Sequence, residues 1–310
     1  MPTESSDTLQ STRRRVAAHL VGRERELELA LAAVSAGRDL VLEGPPGTSK
    51  TTMLKAITEE WGIPLVFVEG NADLTSGKLV GHHNPARVLR EDYSADNFVA
   101  GPLVEAMRQG GFLYIEEFNR APEDTLNTLL TAMADRSIEV PRVGRVEALP
   151  TFRVIASMNP FDNVGTTRLS TSVSDRLNRI VVGYQDAEAE RGIVALRTGL
   201  GSGSGAAAAA RIIPDAVAVT RATREHPDVR QGSSVRGAID CTLVTHELLG
   251  LRGQGVDDEE AYRATFFDAM LVSLSGRIHV DEAAETTPER VLREIWEDHF
   301  VLEPARAEPG

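Results

Sequence analysis

The segment Gly44-Pro-Pro-Gly-Thr-Ser-Lys50-Thr51 decides which fold the rest of the chain can adopt. It follows a short apolar stretch at residues 39–43 that predicts a strand, and it leads into a helical pattern over residues 50–61. A glycine-rich turn between a strand and a helix aims backbone N–H groups and the helix N-terminus at one point, a geometry that binds phosphate. The segment therefore predicts a phosphate-binding loop.

Each position of this loop has a predicted role in holding a nucleotide and its metal ion. The backbone of the turn would surround the phosphates, and the turn consists of Gly44, Pro45, Pro46, Gly47, Thr48 and Ser49. Lys50 would neutralise the β- and γ-phosphates of ATP, and Thr51 would hold Mg²⁺. Ser49 stands where such loops usually have glycine, so a chance glycine-rich turn stays an alternative on these letters alone.

An acidic pair farther along the chain supplies a second part of the predicted site. Residues 111–116 predict a strand that ends in Glu116 and is followed by Glu117. In phosphate-loop ATPases such carboxylates hold the magnesium ion and position the attacking water. Glu116 is predicted to bind Mg²⁺ through water, and Glu117 to polarise the attacking water. Acidic pairs at strand ends are also common as solvated turn residues, so this interpretation depends on the loop.

Strands alternate with helices around these two elements. Strands are predicted at 39–43, 64–69, 111–116, 152–158 and 179–182, and helices at 50–61, 102–108 and 122–134. Each strand is a nearly continuous apolar run, which is typical of a parallel sheet covered by helices on both faces. We therefore expect an α/β fold with a parallel five-stranded sheet.

The strand pattern stops at residue 186. Helical patterns then cover 187–197, 214–225, 234–249, 259–274 and 288–299. We predict a polar tail at 1–18, a nucleotide-binding α/β domain at 19–185 and a smaller all-helical lid domain at 186–310. Within the last domain, the Gly/Ser/Ala-rich run at 201–210 is predicted to be a flexible connection that leads into or lengthens a helix.

The composition narrows the class of partner. Among 310 residues there are 33 Lys and Arg against 46 Asp and Glu, and the formal net charge of -13 disfavours a surface for a nucleic-acid backbone. A protein client is favoured instead. The one cysteine, Cys241, excludes an intramolecular disulfide framework, and no cysteine and histidine spacing indicates zinc. No apolar run approaches the roughly 18 residues of a membrane helix, and no signal segment is evident. We therefore expect a cytoplasmic protein without a membrane partner.

Further motifs occur in the order of a known family. They are Val21-Gly22-Arg23-Glu24, Glu117-Phe-Asn119-Arg120-Ala-Pro122, Ala156-Ser-Met-Asn159-Pro160, Gly165-Thr166, Asp175-Arg176-Leu-Asn-Arg179 and Ser233-Ser234-Val235-Arg236. In letters, order and spacing the chain resembles the MoxR-type AAA+ ATPases over residues 21–249. The resemblance implies a P-loop AAA+ sandwich with a helical lid, and hydrolysis of ATP with Mg²⁺.

The resemblance also implies roles that spacing alone would not supply. Val21 and Gly22 would flank the adenine. Asn159 matches the sensor 1 position, which orients the hydrolytic water, and Arg236 matches the sensor 2 arginine, which links the lid to phosphate. Taken singly, each of these has an ordinary alternative as a surface arginine or a capping asparagine.

Assembly into a ring is implied in the same way. Arg176 matches the arginine finger, which reaches the nucleotide of a neighbouring subunit, and Arg179 stays an alternative for that role. A finger that acts in trans requires a homo-oligomer, which the resemblance implies to be a hexamer. MoxR-like proteins often work with von Willebrand factor A domain partners, so a chaperone-like ATPase that remodels or activates a partner protein is the predicted function.

Two positions depart from the family pattern. Ser49 replaces a glycine or alanine, which is a small change in size. Glu116 replaces the expected aspartate, and its extra methylene displaces the carboxylate by about 1.5 Å. Because Mg²⁺ geometry is strict, hydrolysis could be slow.

Two segments are predicted to be inserted loops or hairpins that contact a client or line a pore, residues 71–84 and 137–150. The first contains His82 and His83, which without a nearby third ligand indicate an exposed loop rather than zinc. Three other functions stay open on the sequence: a nucleotide-dependent scaffold with little turnover, a DNA-remodelling motor, and a P-loop kinase.

Overall fold

The computed structural model describes residues 6–91, 95–160, 169–201 and 205–302. The chain divides into two compact units, Met1–Gly183 and Tyr184–Gly310. No helix among the described residues is both long and apolar enough to cross a membrane.

The first unit is an alternation of helices and strands. In chain order its elements are α1 (Ser6–Ala17), α2 (Glu24–Ser35), β1 (Leu40–Glu43), α3 (Lys50–Trp61), β2 (Leu65–Glu69), α4 (Ser76–Val80), β3 (Gly81–His83), α5 (Pro85–Glu91), β4 (Phe98–Ala100), α6 (Pro102–Gln109), β5 (Phe112–Glu116), α7 (Glu123–Asp135), β6 (Ser137–Val140), β7 (Gly144–Glu147), β8 (Arg153–Met158), α8 (Thr171–Ser174) and β9 (Asn178–Val181).

Five of these strands form one parallel sheet in the order β2-β5-β8-β1-β9. Successive side chains of β1 enter different cores: Leu40 and Leu42 pack in one, and Val41 packs in the other. Since side chains alternate across a strand, both faces of the sheet are covered. The predicted α/β fold with a parallel five-stranded sheet is confirmed.

Two small antiparallel strand pairs form sheets of their own beside the five-stranded one. Strand β3 pairs with β4, and β6 pairs with β7. They account for parts of both segments that were predicted as insertions. His83 of β3 packs its ring against Phe98 of β4, with 5.5 Å between the ring centroids.

The N-terminal segment differs from the prediction of a polar tail. Residues Ser6–Ala17 form helix α1. Its Val16 is buried in the core that α2 and α3 share, and Arg15 Nε donates to Glu60 Oε1 of α3 at 2.5 Å. The sequence interpretation failed here because the helix has a narrow apolar stripe in a mostly polar segment.

The second unit is mainly helical, as predicted. Its elements are α9 (Ala187–Thr198), α10 (Ala206–Glu225), β10 (Val229–Gln231), α11 (Val235–Arg252), α12 (Glu259–Leu274), β11 (His279–Val280) and α13 (Pro288–Glu297). Strands β10 and β11 form a short antiparallel ribbon that the prediction of an all-helical domain missed. Helix α10 begins before the predicted start at Pro214, because the alanine run from Ala206 has high helix propensity.

Cys241 lies in the core of this unit. It is buried in α11, and burial raises the pKa of its thiol to about 12. A thiol that keeps its proton is a poor nucleophile, which agrees with its interpretation as a small apolar helix residue.

Candidate functional site

The predicted phosphate-binding loop is fixed to the sheet at its first residue. Gly44 follows β1 and donates its N–H to the carbonyl oxygen of Met158, the last residue of β8, at 3.0 Å. A Cβ atom on Gly44 would lie 2.0 Å from the carbonyl oxygen of Val182. The chain on both sides of β1 therefore leaves room for glycine alone, and the loop begins at a fixed point.

The loop then turns through two left-handed residues into helix α3. Gly47 has φ of 75° and Ser49, the residue before α3, has φ of 63°. Glycine adopts this conformation without strain, whereas for a residue with a side chain it costs about 1 kcal/mol or more. The usual glycine before the lysine is thus explained by backbone geometry, and Ser49 is a larger departure than its small side chain suggests.

Lys50 places its ammonium group inside the loop. Its Nζ donates to the carbonyl oxygens of Gly44 at 2.8 Å and Pro45 at 2.7 Å. Thr48 Oγ1 donates to Pro45 O at 2.9 Å and ties the turn to itself. A positive charge at the start of a helix, beside the N–H groups of its first turn, favours an anion there.

Thr51 and Glu116 meet between α3 and β5. Thr51 Oγ1 donates to Glu116 Oε1 at 3.1 Å, and the same Oγ1 lies 3.0 Å from the hydroxyl of Tyr114. Glu116 is half-buried and turned toward α3. A hydroxyl and a carboxylate are the hard oxygen groups that Mg²⁺ accepts, so these residues suit the predicted metal ion.

Glu117 occupies a strained turn directly after β5. Its φ is 53° and its ψ is 43°, and Arg120 Nη1 lies 2.8 Å from its Oε2. Gly70 packs against this turn so closely that a Cβ there would lie 2.4 Å from the carbonyl oxygen of Glu117. Left-handed non-glycine residues held in this way are concentrated at functional sites. Gly70 is a site residue that the motif comparison missed.

Asn159 lies at the same edge of the sheet. It follows β8, which pairs with β5 in the register Ile115 to Ala156, and Asn119 Nδ2 donates to its carbonyl oxygen at 3.4 Å. The carboxyl ends of β1, β5 and β8 therefore bring together the loop, both glutamates and Asn159. This edge is where open α/β sheets bind ligands.

The two candidate finger arginines have different surroundings. Arg179 forms two hydrogen bonds to the Glu43 carboxylate, both 2.6 Å long. Arg176 is exposed, donates to the carbonyl oxygen of Ser172 at 3.0 Å, and lines a polar cavity of about 370 Å³. The arrangement favours Arg176 for a contact outside this chain, since Arg179 is already held by a carboxylate of its own sheet.

Arg176 also lies at the amino ends of the parallel strands, whereas the loop lies at their carboxyl ends. It precedes β9, whose first residue Asn178 pairs with Leu40, the first residue of β1. The four residues of β1, at about 3.3 Å each, place roughly 13 Å between the amino and carboxyl ends of this strand. The structure thus separates Arg176 from the loop of its own chain.

Val21 and Gly22 are held by their neighbour Arg23. The Arg23 side chain is buried, and it donates to the carbonyl oxygen of Gly183 at 2.6 Å and to Glu26 Oε1 at 3.0 Å. Gly22 has φ of 63°. Arg23 therefore fixes the predicted adenine segment to the chain that follows β9.

Arg236 is exposed in the first turn of α11. Its neighbour Ser234 caps that helix by accepting the N–H of Arg236 at 3.4 Å. The other quoted motif residues, Gly165 and Thr166, lie outside the described residues.

A buried ion-pair network holds the segment before Arg236. Glu190 is buried and pairs with Arg224 at 2.7 Å and Arg221 at 3.2 Å. Arg224 also donates to the carbonyl oxygen of Ser233 at 2.7 Å and stacks on Tyr184 at 3.8 Å. Sequence reasoning missed this network because its members lie on different helices.

Comparison with known proteins identifies the type of domain. Residues 39–177 match the AAA domain of the dynein-related subfamily. The chain is 30% identical over 227 residues to the gas vesicle ATPase GvpN of Ancylobacter aquaticus, which covers 67% of this chain and 61% of that protein. For the gas vesicle ATPase GvpN of Haloferax mediterranei the values are 30% over 174 residues, 51% and 50%. The matched stretches span less than two thirds of either relative.

Solved structures give the same fold. A point mutant of RuvB from Thermotoga maritima superposes with a TM-score of 0.52 at 18% identity, over 83% of this chain and 72% of that one. A crystal structure from Cytophaga hutchinsonii gives 0.51 at 18% identity, over 93% of each chain. Together with the domain match and the sequence relatives, this confirms the predicted AAA+ resemblance and fold: residues 39–177 of the chain carry an AAA domain that matches the dynein-related subfamily.

Proposed function

We propose that this protein is a MoxR-like, ring-forming ATPase that couples ATP binding and hydrolysis to the remodelling of a partner protein. One observation carries the proposal: the loop, the Thr51 to Glu116 contact, Glu117 and Asn159 converge at the carboxyl edge of one sheet. Hydrolysis of ATP needs a phosphate-binding loop, oxygen ligands for a metal ion and a group that positions water, and this edge of the sheet carries candidates for all three.

Each residue then has a distinct task in hydrolysis. The loop and Lys50 would bind the β- and γ-phosphates. Thr51, and Glu116 through water, would hold Mg²⁺, which would neutralise charge on the phosphates. Glu117 accepts the proton of the attacking water, and Asn159 orients that water. Arg236 is proposed as the sensor 2 arginine.

Oligomerisation completes this site. Arg176 lies at the far edge of the sheet from its own loop and is exposed, so its guanidinium would serve the nucleotide of a neighbouring copy. Repetition of such a head-to-tail contact closes into a ring when the rotation closes, and a hexamer is the ring we propose.

The client would bind through the two antiparallel strand pairs β3–β4 and β6–β7. A von Willebrand factor A domain protein is the first partner we propose. Two relatives are named gas vesicle ATPases, which makes a gas vesicle protein a second client to test.

Replacement of Glu117 tests the chemistry and traps the client. We expect Glu117→Gln to bind ATP normally and to hydrolyse it about a hundredfold or more slowly, because a carboxamide cannot accept the proton of water. Steady-state hydrolysis and ATP binding measure the two effects, with Glu123→Gln, an exposed glutamate of α7, as the control. A parental hydrolysis rate in Glu117→Gln would remove Glu117 from the chemistry.

The same variant distinguishes remodelling from its alternatives. ATP-locked Glu117→Gln should retain the candidate partners, and wild type should release them on hydrolysis. If wild type assembles with ATP but turns none over at saturating protein concentration, a nucleotide-dependent scaffold is the better assignment. DNA binding that weakens with salt would favour a DNA-remodelling motor instead.

Glu116 is expected to control the requirement for Mg²⁺. We expect Glu116→Asp to keep or raise the hydrolysis rate and to lower the Mg²⁺ concentration for half-maximal activity, since a shorter carboxylate leaves more room for the metal waters. Glu116→Ala should weaken Mg²⁺-dependent ATP binding about tenfold or more. Mg²⁺ titrations of hydrolysis and of binding measure both variants. If the Mg²⁺ titrations are unchanged in both variants, Glu116 takes no part in binding the metal ion.

A further inference from the structure

Three hydroxyl groups form a chain beneath the predicted metal site. Tyr114 OH lies 3.0 Å from Thr51 Oγ1 and 3.0 Å from Ser157 Oγ. Tyr114 and Ser157 are both almost wholly buried, on the neighbouring strands β5 and β8. Hydroxyls in such a core must be paired, and here they are paired with each other and with a residue of the nucleotide loop's helix.

The direction of every proton in this chain follows from its end. Thr51 has a single hydroxyl proton and gives it to Glu116 Oε1, because a carboxylate only accepts. The contact between Tyr114 and Thr51 Oγ1 then requires the Tyr114 hydroxyl to donate, and the same hydroxyl also interacts with the Glu116 carboxylate. Its own oxygen accepts from Ser157 Oγ, so the donors run from Ser157 through Tyr114 and Thr51 to Glu116.

This arrangement leaves one lone pair of Thr51 for a metal ion. A threonine hydroxyl has two lone pairs, and Tyr114 occupies one of them. With the proton on Glu116 and Tyr114 on one side, the remaining lone pair has a fixed direction. A metal ion that demands near-ideal octahedral geometry gains most from such fixation.

We propose that Tyr114 is a positioning residue for Mg²⁺, acting through Thr51 and assisted by Ser157. The inference rests on the proposed nucleotide site and goes beyond it, since Tyr114 is in none of the quoted motifs. Outer partners that orient metal ligands typically change metal affinity by 10- to 100-fold when removed. The Glu116 side chain is longer than that of aspartate, so by itself it fixes Thr51 less tightly. Tyr114 supplies a second contact that fixes the Thr51 hydroxyl.

Tyr114→Phe removes the hydroxyl and keeps the ring in the core. The matched control is Tyr262→Phe, because Tyr262 is equally buried and its hydroxyl donates to Asp215 in the second unit at 2.7 Å. The measurement is binding of a fluorescent ATP analogue, titrated with Mg²⁺ and, separately, with Ca²⁺. We expect Tyr114→Phe to raise the half-maximal Mg²⁺ concentration about tenfold and to leave binding without metal unchanged.

Calcium separates positioning from general packing. Ca²⁺ accepts flexible geometry, so its half-maximal concentration should shift less than that of Mg²⁺ in Tyr114→Phe. Ser157→Ala should shift Mg²⁺ in the same direction by a smaller factor, and it serves as the test if Tyr114→Phe does not fold. Equal shifts for both cations, or a Mg²⁺ titration like that of Tyr262→Phe, would overturn the inference. Failure of the proposed nucleotide site would be seen separately, because Lys50→Ala would then leave nucleotide binding intact.

Discussion

Lys50→Ala is expected to abolish ATP binding, because it removes the point charge that would face the β- and γ-phosphates. The Lys50 ammonium lies inside the loop, within 2.8 Å of two of its carbonyl oxygens. With ATP bound, the ammonium would instead donate to the β- and γ-phosphates. Hydrogen bonds to charged groups contribute about 1.5–3 kcal/mol each, so the loss of two bonds to phosphate corresponds to roughly a hundredfold or more in ATP affinity. Isothermal titration with ATP and Mg²⁺ measures the effect.

Two controls make this result interpretable. Lys55→Ala removes an exposed lysine from the same helix and should bind ATP like the parent. Thermal unfolding of Lys50→Ala without nucleotide checks that the substitution has not destabilised the fold, since Lys50 also donates hydrogen bonds to the loop. A folded Lys50→Ala protein with parental ATP affinity would refute the assignment of the phosphate-binding loop.

Arg176→Ala should bind ATP and lose hydrolysis by about a thousandfold, the value of an arginine finger in related phosphoryl transfer. Arg176 is exposed at the edge of the sheet opposite its own loop, so its loss leaves the phosphate contacts of its own chain intact. Hydrolysis and ATP binding are measured in parallel with Arg145→Ala, which removes another exposed arginine of this unit. If Arg179→Ala loses hydrolysis and Arg176→Ala does not, the alternative finger is the correct one.

Mixing two inactive variants tests whether the finger acts in trans. Arg176→Ala subunits carry an intact loop, and Lys50→Ala subunits carry an intact finger. Where the two meet, one interface in the mixed assembly holds both parts, and hydrolysis should partly return. Co-purification of differently tagged subunits establishes that mixing has occurred. Mixed assemblies that stay inactive would contradict action in trans.

The sequence by itself determined the parts of the fold that depend on neighbours in the chain. Apolar runs predicted all five sheet strands to within one residue at either end, because a strand buried on both faces has few polar residues. The loop was equally visible, since a glycine-rich turn before a helix is a local conformation. The order of later motifs then located both glutamates and Asn159.

Contacts between distant residues were decided by the tertiary structure alone. Helix α1 has too little apolar surface to be predicted without the helices that cover it. The direction of Glu116 toward Thr51, and the engagement of Arg179 by Glu43, depend on which side chains share a face of adjacent elements. No sequence pattern encodes such pairings.

The hydroxyl chain is the clearest case. Tyr114 and Ser157 stand 43 positions apart, and each is an unremarked residue within its own apolar strand. They meet because β5 pairs with β8 in one register, and a shift of one residue would turn their side chains to opposite faces. Periodicity determined that these strands exist, whereas only the packed sheet determined which buried polar atoms have each other as partners.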